Sequence, residues 1–430
     1  MDVRFLGGAR EVGRSAILVD DSLLLDFGLL TGTPMQTPIE TPDPDAVVVS
    51  HGHLDHAGAV PALLSGTARP PVHWTPPTRE LALTLARDTL KLHGGTLQCP
   101  FTETDVQRLT QVSETHGYRE PFEAAGYEVT FFNAGHIPGS AHVLVDDGDT
   151  RLLYTGDFHV DDRRGGEAAT GRANGRDAPV SGQRLVSGTT ARPDADVVLC
   201  ESTYYGVSHD ARSEVERRFV ESVEETLWEG GTVVVPAFAI GRTQEMLLVC
   251  DAHDVPCYVD GMGKDVTRML GNYPGFVRDA DALQRATSHA RFVTGRDGQR
   301  KRICQQKAAI VTTSGMLSGG PAMTYVPEVA PNPTNLVAMT GYQVEGTPGR
   351  DLLETGSAEF DGHRMPVSAS VEQYDFSAHA DEAGLRAFLD AYRDTDVLVN
   401  HGDDCERFAA DLRDDGYDAS APAVGDVVSL

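Results

Sequence analysis

Three histidines and an aspartate fall within six residues, His51-Gly52-His53-Leu54-Asp55-His56. Neutral imidazole and carboxylate are ligands that zinc and similar borderline cations accept. On a strand end or tight loop, His51 and His53 project to one side and can grip one ion. Asp55 and His56 come from the turn beyond and can reach a second. Histidine is uncommon in this chain, 15 of 430 residues, so composition alone does not explain the cluster. Three further residues repeat its setting. Asp157 follows Leu152-Leu153-Tyr154-Thr155-Gly156, His136 ends Asn133-Ala134-Gly135-His136, and His401 lies in Val399-Asn400-His401-Gly402. Each stands past an apolar run and beside a glycine. One such histidine is more often a satisfied loop residue; several converging on one sheet edge read as ligands.

The elements that must position them are short. Ala46-Val47-Val48-Val49 reads as a buried strand, and residues 57–64 as a helix opening behind it. A strand end feeding a helix start is where open α/β sheets place ligands. Residues 1–160 alternate apolar runs (16–19, 23–26, 129–132, 143–145, 152–154) with helical patterns near 57–65, 78–92 and 102–110. That order suits a sheet sandwich flanked by helices. Residues 161–190 are rich in Gly, Arg, Ser, Thr and Ala and read as a long mobile loop carrying Arg163, Arg164, Arg172 and Arg176. From about 206, helices (211–229, 242–252, 263–270) alternate with continuous apolar strands (232–235, 257–259, 308–312, 335–339), the pattern of a parallel α/β unit. After 375 come a helix at 382–392, a strand at 397–399 and a helix near 404–414. That tail is too small for a domain and should complete the first one. The expected division is therefore 1–205, 206–375 and 376–430.

The formal net charge is −28, and only four of the 36 basic residues are lysines (Lys91, Lys264, Lys301, Lys307). The carboxylates are dispersed along the chain, which excludes an acidic tail and resembles proteins of salt-loving organisms. At ordinary salt such a charge opposes nucleic-acid binding. No apolar run is long enough to span a bilayer and no signal-peptide pattern opens the chain. Six scattered cysteines form no CxxC pair, so reduced thiols, a cytoplasmic setting and no cysteine zinc site are expected.

These residues resemble the metallo-β-lactamase superfamily and, within it, the β-CASP nucleases. Asp26 matches the first family motif, residues 51–56 the HxHxDH signature, His136 the third metal motif, and Asp157 the aspartate that bridges both metals. The resemblance implies two Zn2+ ions. His51, His53, His136 and Asp157 would hold one, and Asp55, His56, Asp157 and His401 the other, with Asp26 orienting ligands from behind. Glu201 in Glu201-Ser202-Thr203-Tyr204 fits β-CASP motif A, His379 in Phe376-Ser377-Ala378-His379-Ala380-Asp381 motif B, and His401 motif C. The segment 236–245, Ser314-Gly315-Met316-Leu317 and Gly341-Tyr342-Gln343 also follow the family. The implied fold is an αββα metallo-β-lactamase sandwich with an inserted parallel α/β β-CASP domain. Within the family a histidine at motif C accompanies RNA enzymes, and the glycine segments look more like the archaeal and eukaryotic pre-mRNA 3′-end cleavage branch than RNase J. With strand-like sequence starting at residue 3, the chain reads as a short archaeal form without RNA-binding KH modules.

The implied chemistry is hydrolysis of RNA phosphodiester bonds by a two-metal site containing Asp55 and Asp157, as an endonuclease, a 5′→3′ exonuclease or both. His379, held by Glu201, would protonate the leaving oxygen. Ser314, Gly315 and Gly341 could offer backbone N–H groups to RNA phosphates, with Arg242 or Arg350 as charged partners; tight packing turns account for those glycines equally well. Two other readings compete. A small-molecule hydrolase, such as a thioesterase or lactonase, leaves the inserted region and the Glu201–His379 pair unexplained. A non-catalytic RNA-processing scaffold conflicts with a complete ligand set. Oligomeric state, a homodimer among the options, and protein partners stay open.

Overall fold

The computed structural model describes every residue except 31, 33, 34, 97, 162–180 and 297. Its internal contacts divide the chain into two units. One comprises Met1–Val160, Gly188–Ser208 and His379–Leu430; the other comprises Asp161–Ser187 and His209–Ala378.

In the first unit, β1 (Asp2–Gly7), β2 (Ala16–Val19), β3 (Leu23–Leu25), β4 (Ala46–Val48), β5 (Val72–Trp74) and β6 (Ser113–Thr115) pair in sequence order. A second sheet contains β7 (Phe122–Ala124), β8 (Tyr127–Asn133), β9 (Ala141–Asp146), β10 (Arg151–Tyr154) and β11 (Val197–Glu201). Alternation of side chains explains why the short central strands are apolar throughout. In β4, Val48 joins the core between the sheets with Phe5, Phe131, Val143 and Leu199. Its neighbour Val47 faces the other way, into a core shared with the helices Pro76–His93 and Glu103–Val112. Each fully buried Val or Leu of this kind contributes about 1.5–3 kcal/mol. The first helix is opened by Pro76 and capped by Thr75, and a Thr102–Asp105 capping box opens the second.

The second unit is a six-stranded parallel sheet. Its strands are β12 (Val233–Pro236), β13 (Cys257–Asp260), β14 (Arg291–Phe292), β15 (Ala309–Thr312), β16 (Leu336–Met339) and, beyond the small hairpin β17 (Ser357–Phe360) and β18 (His363–Pro366), β19 (Ser370–Gln373). Their order is β14-β13-β15-β12-β16-β19. Helices Arg212–Glu229, Arg242–Ala252, Gly263–Leu270 and Ala322–Val329 connect or cover them.

The chain then returns to the first unit. β20 (Asp396–Asn400) pairs in parallel with β11, and β21 (Ala419–Ser420) follows it at that edge. β22 (Val427–Ser429) pairs with β1 in the other sheet. Helices Glu382–Leu389 and Cys405–Asp414 bury Leu385, Phe388, Phe408 and Leu412 on the outer face of β11 and β20. Helix, sheet, sheet, helix is the layer order of this unit.

One expectation needs revision, and another falls largely outside the described residues. The helix placed at 57–64 is instead one α-turn at Leu54–Ala57 and a 3₁₀ turn at Val60–Leu64. Pro61 has no N–H to donate and its ring crowds the carbonyl four residues back, which disfavours one continuous α-helix over 57–64. Asp55 and His56 therefore stand on a helical turn rather than in a loop ahead of the helix. Of the loop expected at 161–190, residues 162–180, including its four named arginines, lie outside the described residues. Residues 181–190 carry neither helix nor strand.

Candidate metal centre

The donor candidates and their supporting carboxylates gather at the C-terminal ends of strands in the first unit, with Asp55 and His56 on the helical turn after β4. Asp26 follows β3, His51 follows β4, His136 follows β8, Asp157 follows β10, Glu201 ends β11 and His401 follows β20. The backbone there is bent sharply: Asp26 and His401 adopt left-handed φ values of 58° and 47°. Such strain persists only where surrounding contacts fix it, and it concentrates at functional sites. Gly156, at φ 50°, lets β10 close on the neighbouring loop, because a Cβ there would stand 2.9 Å from Ser50 Cβ. Gly28 serves the helical turn likewise; a Cβ would fall 1.7 Å from the Asp55 carbonyl oxygen.

Asp157 divides the cluster. Its Oδ2 faces His51 Nε2 at 3.5 Å and His136 Nε2 at 3.9 Å. Its Oδ1 faces His56 Nε2 at 3.3 Å and His401 Nδ1 at 3.2 Å. His53 Nδ1 is 3.0 Å from His136 Nε2, and Asp55 Oδ2 is 3.7 Å from His401 Nε2. Two groups of candidate donors result: His51, His53, His136 and Asp157, and Asp55, His56, Asp157 and His401. His51 Nε2, His56 Nε2 and Asp157 Oδ1 are buried and make no hydrogen bond. Buried polar atoms without partners are costly, and atoms aimed at a shared point fit metal donors. The nitrogen and oxygen donor set suits zinc or a similar divalent ion.

For His51, His53 and Asp157 the electrostatics agree with that use. Burial pushes His51 well below its usual range and His53 down to about 4, leaving neutral imidazoles. Burial would raise Asp157, but His401 and His56 outweigh it and hold the carboxyl well below its usual range. For His56, burial is outweighed by Asp157 and Asp26, and the ring shifts upward. Asp26 lies behind the donors. It accepts from Ser50 N–H, Ser50 Oγ, His56 Nδ1 and Tyr154 OH, each at 2.7 Å. With Nδ1–H committed, His56 presents Nε2 forward.

Beside this centre, His379 Nδ1 lies 3.3 Å and 3.4 Å from the two Glu201 oxygens. The carboxylate also accepts the N–H groups of Phe158 and Thr203. Burial opposes protonation of His379, yet Glu201, with Asp157 and Asp55, raises it to about 9. The imidazole packs 4.4 Å from the His136 ring, ring centre to ring centre. Sequence reasoning missed Ser50 and Tyr154. Ser50 was in view as the residue before His51; nothing local marks Tyr154. His159 Nδ1 donates to the His379 carbonyl oxygen at 3.1 Å, whereas His142 is tied to Thr155 and Thr189.

The proposed phosphate-binding residues all lie in the second unit. Gly315 and Gly341 both approach Phe238, in the loop after β12, and Gln343 donates to the carbonyl oxygens of both glycines. Ser314 precedes Gly315 after β15, and Arg242 opens the helix behind Phe238. Arg350 pairs with Glu354 on its own helix at 2.5 Å.

Residues 9–200 match the metallo-beta-lactamase superfamily, 243–352 the Beta-Casp domain, and 364–422 the Zn-dependent metallo-hydrolase RNA specificity domain. The chain is 34% identical to a protein named RNase aCSPSF2 from Saccharolobus solfataricus, over all of this chain and 85% of that one. It is 31% identical to a Probable RNase MJ4 from Methanocaldococcus jannaschii over the whole of both. Transcription termination factor FttA from Thermococcus kodakarensis is 31% identical over 93% of this chain and 66% of its own length. A solved structure of a protein of unknown function from Enterococcus faecalis shares the fold, with a TM-score of 0.61, 12% identity and coverage of 100% and 99%. This is a metallo-β-lactamase-fold protein with a β-CASP domain. The chain belongs to the β-CASP family of the metallo-β-lactamase superfamily.

Proposed function

We propose that this protein is a zinc-dependent ribonuclease with two ions per chain, cleaving RNA internally, from a 5′ end, or both. In this reading, residues 1–205 and 376–430 carry the metal chemistry and 206–375 form the inserted domain. The observation that carries it is the division of donors around Asp157, with the Glu201–His379 pair alongside. Bound divalent ions would supply Lewis acidity, lowering the pKa of water and neutralising phosphodiester oxygens. His51, His53 and His136 on one side and Asp55, His56 and His401 on the other would hold them, with Asp157 common to both. Glu201 keeps His379 protonated at neutral pH, so its imidazolium can deliver a proton to the leaving oxygen. RNase-named relatives over the full chain support RNA as substrate. Among the described residues, no helix is long and apolar enough to cross a membrane.

Zinc-loaded protein incubated with circular, 5′-monophosphorylated and 5′-triphosphorylated RNA tests this directly. Loss of the circle indicates internal cleavage; progressive loss from a monophosphate end indicates an exonuclease. No product from any of the three rejects the proposal. The His379→Ala variant is expected to lose about 10²–10⁴-fold in cleavage rate with its zinc content intact. Zinc loss in that variant would instead make His379 a ligand.

A further inference from the structure

A second histidine group lies away from this centre, on β5 and β6. The two strands run parallel with His73 opposite Glu114. Residues in register on neighbouring strands share a face, and so do residues two apart on one strand. His116, two positions after Glu114, therefore comes to the same side. Its backbone N–H bonds the Trp74 carbonyl oxygen and continues the ladder. His73 Nδ1 stands 3.0 Å from His116 Nε2 and 3.7 Å from Glu114 Oε2. Donors about 2.0–2.1 Å from a tetrahedral zinc lie roughly 3.3 Å apart, so the two separations bracket that value.

We propose that His73, Glu114 and His116 form an additional divalent-cation site, of the borderline class that includes Zn2+. The rings are held in place beforehand. Phe122, at the start of β7, stacks on His116 at 3.7 Å and 9°, and lies 5.1 Å from the His73 ring. Burial pushes His73 down to about 4, so it is neutral at physiological pH. Glu114, with Glu120 and Glu123 nearby, gives the surroundings negative charge. Two imidazoles and one carboxylate leave a fourth position for water or an external ligand. Since β6 has three residues and, among the described residues, pairs only with β5, an ion here would fasten an edge strand otherwise held by a short ladder.

The test compares zinc content of the full chain with that of the His73→Ala/His116→Ala variant, after dialysis against excess Zn2+ and removal of loose metal. Wild type should hold one equivalent more, while both cleave RNA at the same rate. Equal content in the two proteins overturns the site. Crystals of wild type grown with Zn2+ give a second measurement that does not depend on the variant folding. An anomalous peak at the zinc edge between His73 and His116 supports the proposal. A peak at the residue 51–56 centre with none at His73 refutes it, leaving only a hydrogen-bonded histidine pair.

Discussion

Asp26 accepts four hydrogen bonds although none of its atoms belongs to either donor group. It fixes the His56 tautomer and ties Ser50, and through it the His51 loop, to Tyr154 on the facing sheet. Removing such a support typically costs 10–100-fold in metal affinity. Asp26→Ala should therefore bind zinc about 10–100-fold more weakly in competition with a chromophoric chelator; unaltered affinity would contradict the role. Glu201 affects protonation rather than metal. A histidine raised to about 9 stays in its acid form up to that pH. In Glu201→Gln the carboxylate charge is gone, so the acid form is lost at lower pH. The basic limb of the cleavage-rate profile should move down by one unit or more, on the order of the 1.36 kcal/mol each unit represents. A limb that stays in place would separate Glu201 from the proton on His379.

At the scale of elements, the second unit contains a buried ionic cluster that links several segments. Glu216, on helix Arg212–Glu229, accepts from Arg184 at 2.5 and 2.8 Å and pairs with His253 Nε2 at 2.7 Å. Burial alone would raise its pKa, but His253 and Arg184 lower it to about 2. The native state therefore favours the ionised carboxylate. This contribution is complete above the ordinary value of 4.5 and is lost as pH falls towards about 2. Glu216→Gln should cost on the order of 3 kcal/mol near neutrality, and the gap to wild type should close in acid melts. A gap constant from pH 6 to pH 2 would rule this linkage out.

Elements of this kind were unevenly legible in the sequence. The helices Arg242–Ala252 and Gly263–Leu270 coincide with their patterns; the second has periodic apolar positions, whereas the first is marked by the glycine before it and a continuous apolar run at 246–250, buried on all sides. The strand β19 was not visible. Ser370–Gln373 is mostly exposed, and it is a strand because Ser370 and Val371 pair with Leu336 and Val337. Helix Ala322–Val329 was hidden by Pro327, and β6 by its polar residues Ser113-Glu114-Thr115. For the candidate centre, a histidine or aspartate beside a glycine after an apolar run carried most of the information. Tyr154 carried none, since its partner Asp26 is 128 residues away.

For the whole molecule, 64 carboxylates against 36 basic residues leave a charge of −28. In dilute buffer that charge repels itself and destabilises the compact state. Screening shortens from about 10 Å at 0.1 M salt to about 3 Å at 1 M, so added KCl should stabilise the fold. The melting temperature should rise between about 0.1 and 2 M KCl, and NaCl should act equally if screening is the cause. RNA binding makes the sharper demand. A protein that relies on six to ten phosphate contacts loses about 10³–10⁵ in affinity between 50 and 200 mM salt. An acidic surface is not suited to that mode; contacts at the metal centre, buried beside Asp157, are screened less than exposed pairs. Cleavage should accordingly persist at molar KCl, with kcat/KM changing by about tenfold or less while the fold gains stability. A fall of several orders of magnitude in kcat/KM, with the protein still folded by circular dichroism, would show that surface arginines rather than the centre hold the RNA.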